Sequence, residues 1–591
     1  MGLALDPSSP EAGDRRRPAK RSAVSTDARP AAPTVRILAN ARAAGIQAVV
    51  AGIVALMLWL ASAAAQGFHF SPDSMSYASL ARGFSSGHPF TGGILWLSAQ
   101  PGRLQSIWPP FYPALIALMH ALGPTQPWSE FLISGATTAI ASAFAILAVH
   151  RAAGRCPWFA VPLVGGSSVM LYVADHGWTE PVCLALLGIH YWLAAEALRT
   201  ESGGRAAPAW LLFTQGLAAG LAFLDRYAAA PFLLTALMLP AVLPLVFRWH
   251  QGELRGRFVL NMAAATLGVA VPVVPWTAAA LALTGHLGAP YLPVGAGLHG
   301  AIAMARSALQ IAVRETLTST DAPSAAAHAA DLRILLATVL CALAALALSR
   351  VFRLPSRLAS GALRPAAVLL AVLAVDATLY TVVLVYLRAH EYFDAIGLRL
   401  IAPGLYPAVL LGLLLIACVP WRLVREALVL PLGLVILWHG GQAAAAGLRH
   451  PRIQASLSGP WCTPGPRGDC GLFSWLQGHT TAKDLIITNA GYTINFQMGR
   501  TVRQVAAYPY NPKPTAADFQ RWSAEWLALH PGGRVLVALD ADAGPVASPS
   551  EPYGALFTRL WTGDPTAIGA DLMAMPATSG PTYRVFTLSA G

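Results

Sequence analysis

Apolar stretches of helix-spanning length recur from about residue 44 to about residue 443, and no other feature narrows the possible folds as much. A spanning helix needs about 20 predominantly apolar residues, and no water-soluble core absorbs so many such segments. Of 591 residues, 55% are hydrophobic and only 12% charged, about half the charge of an ordinary soluble domain. The chain therefore reads as a polytopic α-helical membrane protein. The expected crossings are 44–66, 130–150, 157–174, 179–199, 208–224, 228–247, 258–283, 333–350, 365–388, 400–419 and 425–443. That is about 11 spans, an odd number, which places the two termini on opposite sides.

Arginines set the direction. Residues 1–43 carry Arg15, Arg16, Arg17, Lys20, Arg21, Arg29, Arg36 and Arg42 in a Pro/Ala-rich context, so they read as a disordered basic cytoplasmic tail. The net charge of +12 thus marks orientation, not nucleic-acid binding. The short loops that fall inside are also basic, with Arg248, Arg255 and Arg257 in one and Arg350, Arg353, Arg357 and Arg364 in another. The positive-inside rule gives a cytoplasmic N-terminus and an external C-terminus. The transmembrane domain, 44–443, then has two large external loops, 67–129 and 284–332. Within the first, "WPPFYPALIALMHALG" (108–123) is too short to cross and reads as a helix dipping into the outer face.

Residues 444–591 differ in composition and read as a separate extracytoplasmic α/β domain. "KDLIITN" and "RVLVALD" have strand character, and "TAADFQRWSAEWLALHPGG" between them is helical. No G-x-G-x-x-G or Walker loop accompanies them, so nucleotide chemistry is not indicated. Cys462 and Cys470 fall on the side where a disulfide is permitted. Cys156, Cys183, Cys341 and Cys418 are scattered in or beside spans and read as packing residues.

Acids and arginines gather on the outer side. The stretch "FSPDSMSYASLARGF" (70–84) holds Asp73, Tyr77 and Arg82, followed by His88, Arg103 and Tyr112 in the same loop. "DHGWTEP" adds Asp175 and Glu180, "LDRY" adds Asp225, Arg226 and Tyr227, and "RAHEYFDAIGLRLIAP" adds Arg388, His390, Glu391, Asp394 and Arg399. Capping alone accounts for Asp73, since Ser71 can cap, Pro72 suits the first helical position and an acid offsets the helix dipole. Charges clustered near a bilayer are costly, however, and usually line a functional cavity. Arginines suit a lipid phosphate, and a carboxylate opposite them suits removal of a proton from an attacking hydroxyl. A divalent cation between Asp73 and Asp175 or Glu180 is compatible with the residue types, but their spacing gives it no support.

The order of these motifs resembles a known family. After a first span come D-x-x-x-Y-x-x-x-A (Asp73, Tyr77, Ala81), PP-x-YP (Pro109, Pro110, Tyr112, Pro113), T-E-P (Thr179 to Pro181), R-Y (Arg226, Tyr227) and R-x-x-x-P (Arg399, Pro403). The pattern is similar to bacterial members of the GT-C superfamily, near the protein O-mannosyltransferases and lipid A aminoarabinose transferases. The resemblance implies a multi-pass enzyme of the bacterial cytoplasmic membrane that takes a sugar from a polyprenyl-phosphate donor, with inversion. Its acceptor would be a lipid, a cell-envelope glycan or a protein. Asp73 would be the catalytic base, and Tyr77, Arg82, His88, Arg103, Tyr112, Asp175, Glu180, Arg226, Tyr227 and Arg399 would bind substrates. Many protein mannosyltransferases have a second acid directly after the first; Ser74 stands there here, which favours lipid or envelope-glycan acceptors. A transporter is the rival reading, resting on Asp376 within the ninth span and His190 within the fourth.

Overall fold

The computed structural model describes residues 33–95, 104–247, 251–287, 296–317, 364–390, 396–450, 471–505, 515–540, 559–562, 572–579 and 583–590, with 452, 453, 457 and 568. Most of the basic tail, Arg103, the span expected at 333–350, Glu391, Asp394, Cys341, Cys462 and Cys470 lie outside them. The chain divides into Met1–Ala43, of which only the start of the first helix is described, and Ala44–Gly591.

The helices are α1 (Pro33–Gln66), α2 (Pro72–Ser85), α3 (Phe111–Ala121), α4 (Trp128–Ala153), α5 (Ala160–Gly166), α6 (Ser168–Ala174), α7 (Glu180–Ser202), α8 (Ala209–Asp225), α9 (Ala230–Phe247), α10 (Gln251–Thr284), α11 (Gly297–Leu317), α12 (Arg364–His390), α13 (Leu398–Ala417) and α14 (Arg422–Arg449). Eight of the described helices are long and apolar enough to cross a membrane: α1, α4, α7, α9, α10, α12, α13 and α14. Helices α3 and α8 are shorter apolar segments.

Burial on α1 runs opposite to that of a soluble helix. Ala44, Ala48, Ala51 and Ala55 face the protein, while Ile46, Val49, Ile53 and Met57 are more than half exposed. Small residues inside and large apolar ones outside are what a lipid solvent selects, because close packing rather than hydrophobic exclusion holds such helices together. Helix α4 packs on α7, α8 lies against both α7 and α10, and α12 pairs with α13.

Two expectations change. The stretch 157–174 is not one continuous helix: α5 and α6 meet at Ser167, whose backbone is extended and whose hydroxyl accepts the Met170 N–H at the start of α6. The second large loop contains a helix, α11, packed against α12 and α13. Its apolar residues are interrupted by polar ones, which hides it from a search for spans.

The C-terminal part adds α15 (Gly471–His479), α16 (Gly491–Met498) and α17 (Ala516–Leu529) around a mixed sheet. Its strands are β1 (Ile94–Leu95), β2 (Leu485–Thr488), β3 (Val502–Gln504), β4 (Val535–Asp540), β5 (Leu572–Ser579) and β6 (Tyr583–Ala590), in the order β1-β3-β2-β4-β6-β5. The β1, β3, β2 and β4 pairings are parallel, and the β4–β6 and β6–β5 pairings are antiparallel. Residues alternate between faces: Leu485, Ile487, Val535 and Val537 pack with Phe519, Trp522 and Trp526 of α17, whereas Ile486, Leu536 and Ala538 pack on the other side.

That second face is closed partly by α2. Met75 and Ala78 share a core with Ile94, Leu472, Ile486, Ile494 and Phe496. The boundary at 444 is therefore one of composition, and the packing crosses it: the first loop supplies both an edge strand and a covering helix to the C-terminal sheet. One glycine permits the close approach: a Cβ on Gly93 would lie against the Asn495 amide nitrogen. Within the first loop, Gly83 similarly leaves room for the Thr91 carbonyl.

Arg82 fastens the same junction. Its Nη2 donates to Asn495 Oδ1 at 2.9 Å and its Nη1 to the Phe496 carbonyl at 3.2 Å. Burial pulls its guanidinium down to about 10, still charged at neutral pH. Arg82→Ala leaves both acceptors without this donor, and a hydrogen bond to a charged group is worth about 1.5–3 kcal/mol. The expected result is faster amide hydrogen exchange across 491–498 than in the native chain; unchanged exchange there would refute the fastening role.

Candidate active site

Asp73 sits in the first turn of α2, where the sequence places a cap. Ser71 Oγ accepts the Ser74 N–H and Ser74 Oγ accepts the Ser71 N–H, a reciprocal capping box with Pro72 at the helix start. The capping box fixes the turn that carries Asp73.

Three elements distant in sequence converge on this acid. Arg399, the second residue of α13, donates through Nη1 to Asp73 and through Nε to Glu180 Oε1 at 2.7 Å. Glu180, the first residue of α7, also accepts from Arg226 Nη1. Arg226 lies on extended backbone between α8 and a 3-10 turn, Tyr227–Ala229, and its burial is offset chiefly by Glu180, which holds its guanidinium protonated. The result is an alternating row, Asp73, Arg399, Glu180, Arg226, with balanced formal charge. The row is graded in access: the Asp73 and Arg399 side chains are 21% and 19% exposed, whereas Glu180 is fully buried. The Asp73–Arg399 pair is the most accessible end of the row.

Trp178, two residues before Glu180, places its ring 4.6 Å from the Arg399 Cζ and donates its Nε1–H to Ser71 Oγ at 2.6 Å. His176 stacks on the same indole with centroids 4.0 Å apart. Burial pulls the imidazole down to about 4, so it is neutral and adds no cation beside Arg399.

Tyr77, one turn along α2 from Asp73, is buried and meets Trp108 and Tyr112 edge-on at 5.2 and 5.4 Å. Burial, and after it the Asp73 charge, push its phenol above the usual range, so it remains a neutral O–H. Tyr112 is likewise buried and its phenol pushed up by burial.

The other sequence candidates lie elsewhere. Tyr227 donates to the Ser106 carbonyl at 3.1 Å and accepts from Trp276 Nε1 at 2.8 Å, tying α10 to the first loop. Asp175 accepts the Ser62 hydroxyl of α1 and joins none of the ion pairs; burial raises its carboxyl well above the usual carboxylate range. His88 is exposed in the turn after α2, and Arg82 is committed to the C-terminal junction. No group of three or more His, Cys, Asp or Glu positioned for a metal occurs among the described residues. With Arg399 between them, Asp73 and Glu180 present their charge to a guanidinium.

No family model and no curated protein matches the chain. Among solved structures it is similar to ArnT from Cupriavidus metallidurans, a polytopic membrane glycosyltransferase of the GT-C superfamily. The apo form superposes with a TM-score of 0.50 at 13% identity, over 94% of this chain and 98% of that one. The chain has the GT-C fold. A second ArnT structure, bound to undecaprenyl phosphate, gives a TM-score of 0.48 at 15% identity over the same shares. Trp178 is the residue of this site that sequence reasoning passed over. It stands inside the quoted "DHGWTEP", but a tryptophan near a membrane surface ordinarily reads as an interfacial anchor.

Proposed function

We propose that the chain transfers a sugar from a polyprenyl-phosphate donor to a lipid, cell-envelope glycan or protein acceptor on the extracytoplasmic face of the bacterial cytoplasmic membrane. The observation that carries this reading is the accessible Asp73–Arg399 pair at the mouth of an otherwise buried charge row. A donor phosphate is drawn to Arg399 and competes with Asp73 for its guanidinium. Asp73 is then free to take a proton. The acceptor hydroxyl attacks the anomeric carbon, its proton passes to the Asp73 carboxylate, and the carbon–oxygen bond to phosphate breaks. Prenyl phosphate leaves with the bonding pair, its new charge met by Arg399. Attack opposite the leaving group inverts the anomeric centre. No nucleotide enters the reaction.

Purified protein in lipid, offered a panel of radiolabelled polyprenyl-phosphate sugars and envelope acceptors, is expected to release prenyl phosphate. No release from any donor would remove the reading.

The transporter reading is weakened by the surroundings of Asp376. Its two carboxylate oxygens accept from Tyr191 at 2.8 Å and Thr235 at 2.7 Å, joining α7, α9 and α12. His190 meets the Gln215 carbonyl at 3.3 Å. A carboxylate held by two hydroxyls serves helix packing well. Asp376→Asn can keep bonds to both and is expected to leave transfer within the same order of magnitude. Proton-coupled uptake abolished by this substitution would favour the transporter instead.

A further inference from the structure

We propose that Trp178 is a positioning residue that holds the Asp73–Arg399 pair in register through the two ends of one indole. This rests on the transferase reading of the site. The indole face lies 4.6 Å from the Arg399 Cζ, a cation–π contact that restricts where the guanidinium plane can lie. Its Nε1–H donates to Ser71 Oγ at 2.6 Å. That oxygen is the cap of α2, whose first turn carries Asp73. One rigid side chain thus touches both the residue presenting the base and the arginine facing it, without touching the base itself. The indole is only 6% exposed, and the Trp178 backbone N–H donates to the His176 carbonyl at 2.8 Å, so the ring has little freedom to relax.

The shared contact has a further consequence. When a donor phosphate takes Arg399 from Asp73, the guanidinium stays against the indole face and the carboxylate stays on the capped turn. Both groups keep their places although their mutual bond is exchanged. The contribution is to orientation, which acts on the chemical step more than on donor affinity.

The test separates the two ends of the ring. Trp178→Phe keeps an aromatic face and removes the N–H; Trp178→Leu removes both. Prenyl phosphate release is measured per donor-binding site, so that misfolded protein is not counted. Trp178→Phe is expected to lower kcat about 3- to 10-fold. Trp178→Leu is expected to lower it about 30- to 100-fold, with donor KM within about threefold. Ser71→Ala breaks the same hydrogen bond, so combining it with Trp178→Phe should add little to the larger single effect. A Trp178→Leu protein whose kcat per binding site stays within about threefold of native would overturn the proposal. So would full additivity of Ser71→Ala and Trp178→Phe. Absence of turnover by the native chain is a different failure, that of the transferase reading. The positioning claim is then decided by an experimental structure of Trp178→Leu: Arg399 displaced from Asp73 sustains it, and Arg399 unmoved overturns it.

Discussion

Asp73→Asn is expected to lower prenyl phosphate release by about 10²- to 10⁴-fold, the span over which a positioned general base contributes, while donor binding is retained. The amide keeps the volume and polarity of the carboxylate but cannot take the acceptor proton. The fold should tolerate the change because Arg399 does not lose its only counter-charge: Glu180 Oε1 still accepts from Arg399 Nε at 2.7 Å. Donor affinity is expected to hold or improve, since the phosphate no longer displaces a carboxylate from Arg399. The measurement pairs single-turnover release with equilibrium binding of the donor. Loss of binding in step with loss of turnover would mean that Asp73 serves as a structural partner of Arg399 and not as a base.

Glu180→Gln acts on stability instead. Glu180 is fully buried and bonds both arginines through one oxygen. Removing its charge leaves Arg226 with no ion-pair partner among the described residues and leaves Arg399 with Asp73 alone. Breaking a buried pair by neutralising one member costs about 3–5 kcal/mol, because the remaining charge stays desolvated. Thermal unfolding in detergent is expected to shift down by several degrees. The simultaneous change Glu180→Gln and Arg226→Met removes the orphaned charge and should recover part of that loss. A Glu180→Gln protein as stable as native would show that water reaches Arg226, against its 8% exposure.

Much of the membrane architecture was legible because lipid enforces long apolar helices, and length and hydropathy record them directly. The break at Ser167 was not, since both halves are apolar and only a local extended backbone separates them. Asp73 was legible at two levels, through its capping context and through its place in the motif order. Its partners were legible as residues, but their pairing was not. Arg399 and Glu180 are 219 positions apart, and nothing local distinguishes an arginine that pairs with Asp73 from Arg82, which bonds the C-terminal part. Trp178 escaped because its chemistry lies in contacts with two other segments. Strand β1 escaped for another reason: at two residues, Ile94–Leu95, it is too short to carry an alternating pattern.

That short strand imposes an order of events on the chain's own synthesis. Ile94 and Leu95 are made some 400 residues before their partners Val502 and Arg503, and contacts of such sequence separation form late. Met75 and Ala78 on α2 wait for the same sheet to close over them. The helix that carries Asp73 is therefore among the first parts to emerge and among the last to be set. A chain interrupted between Arg399 and the final strands would carry every residue of the charge row and still lack the surface that packs against the helix bearing its outermost acid. The seating of Asp73 is in this way tied to completion of the C-terminal sheet, with no separate signal required.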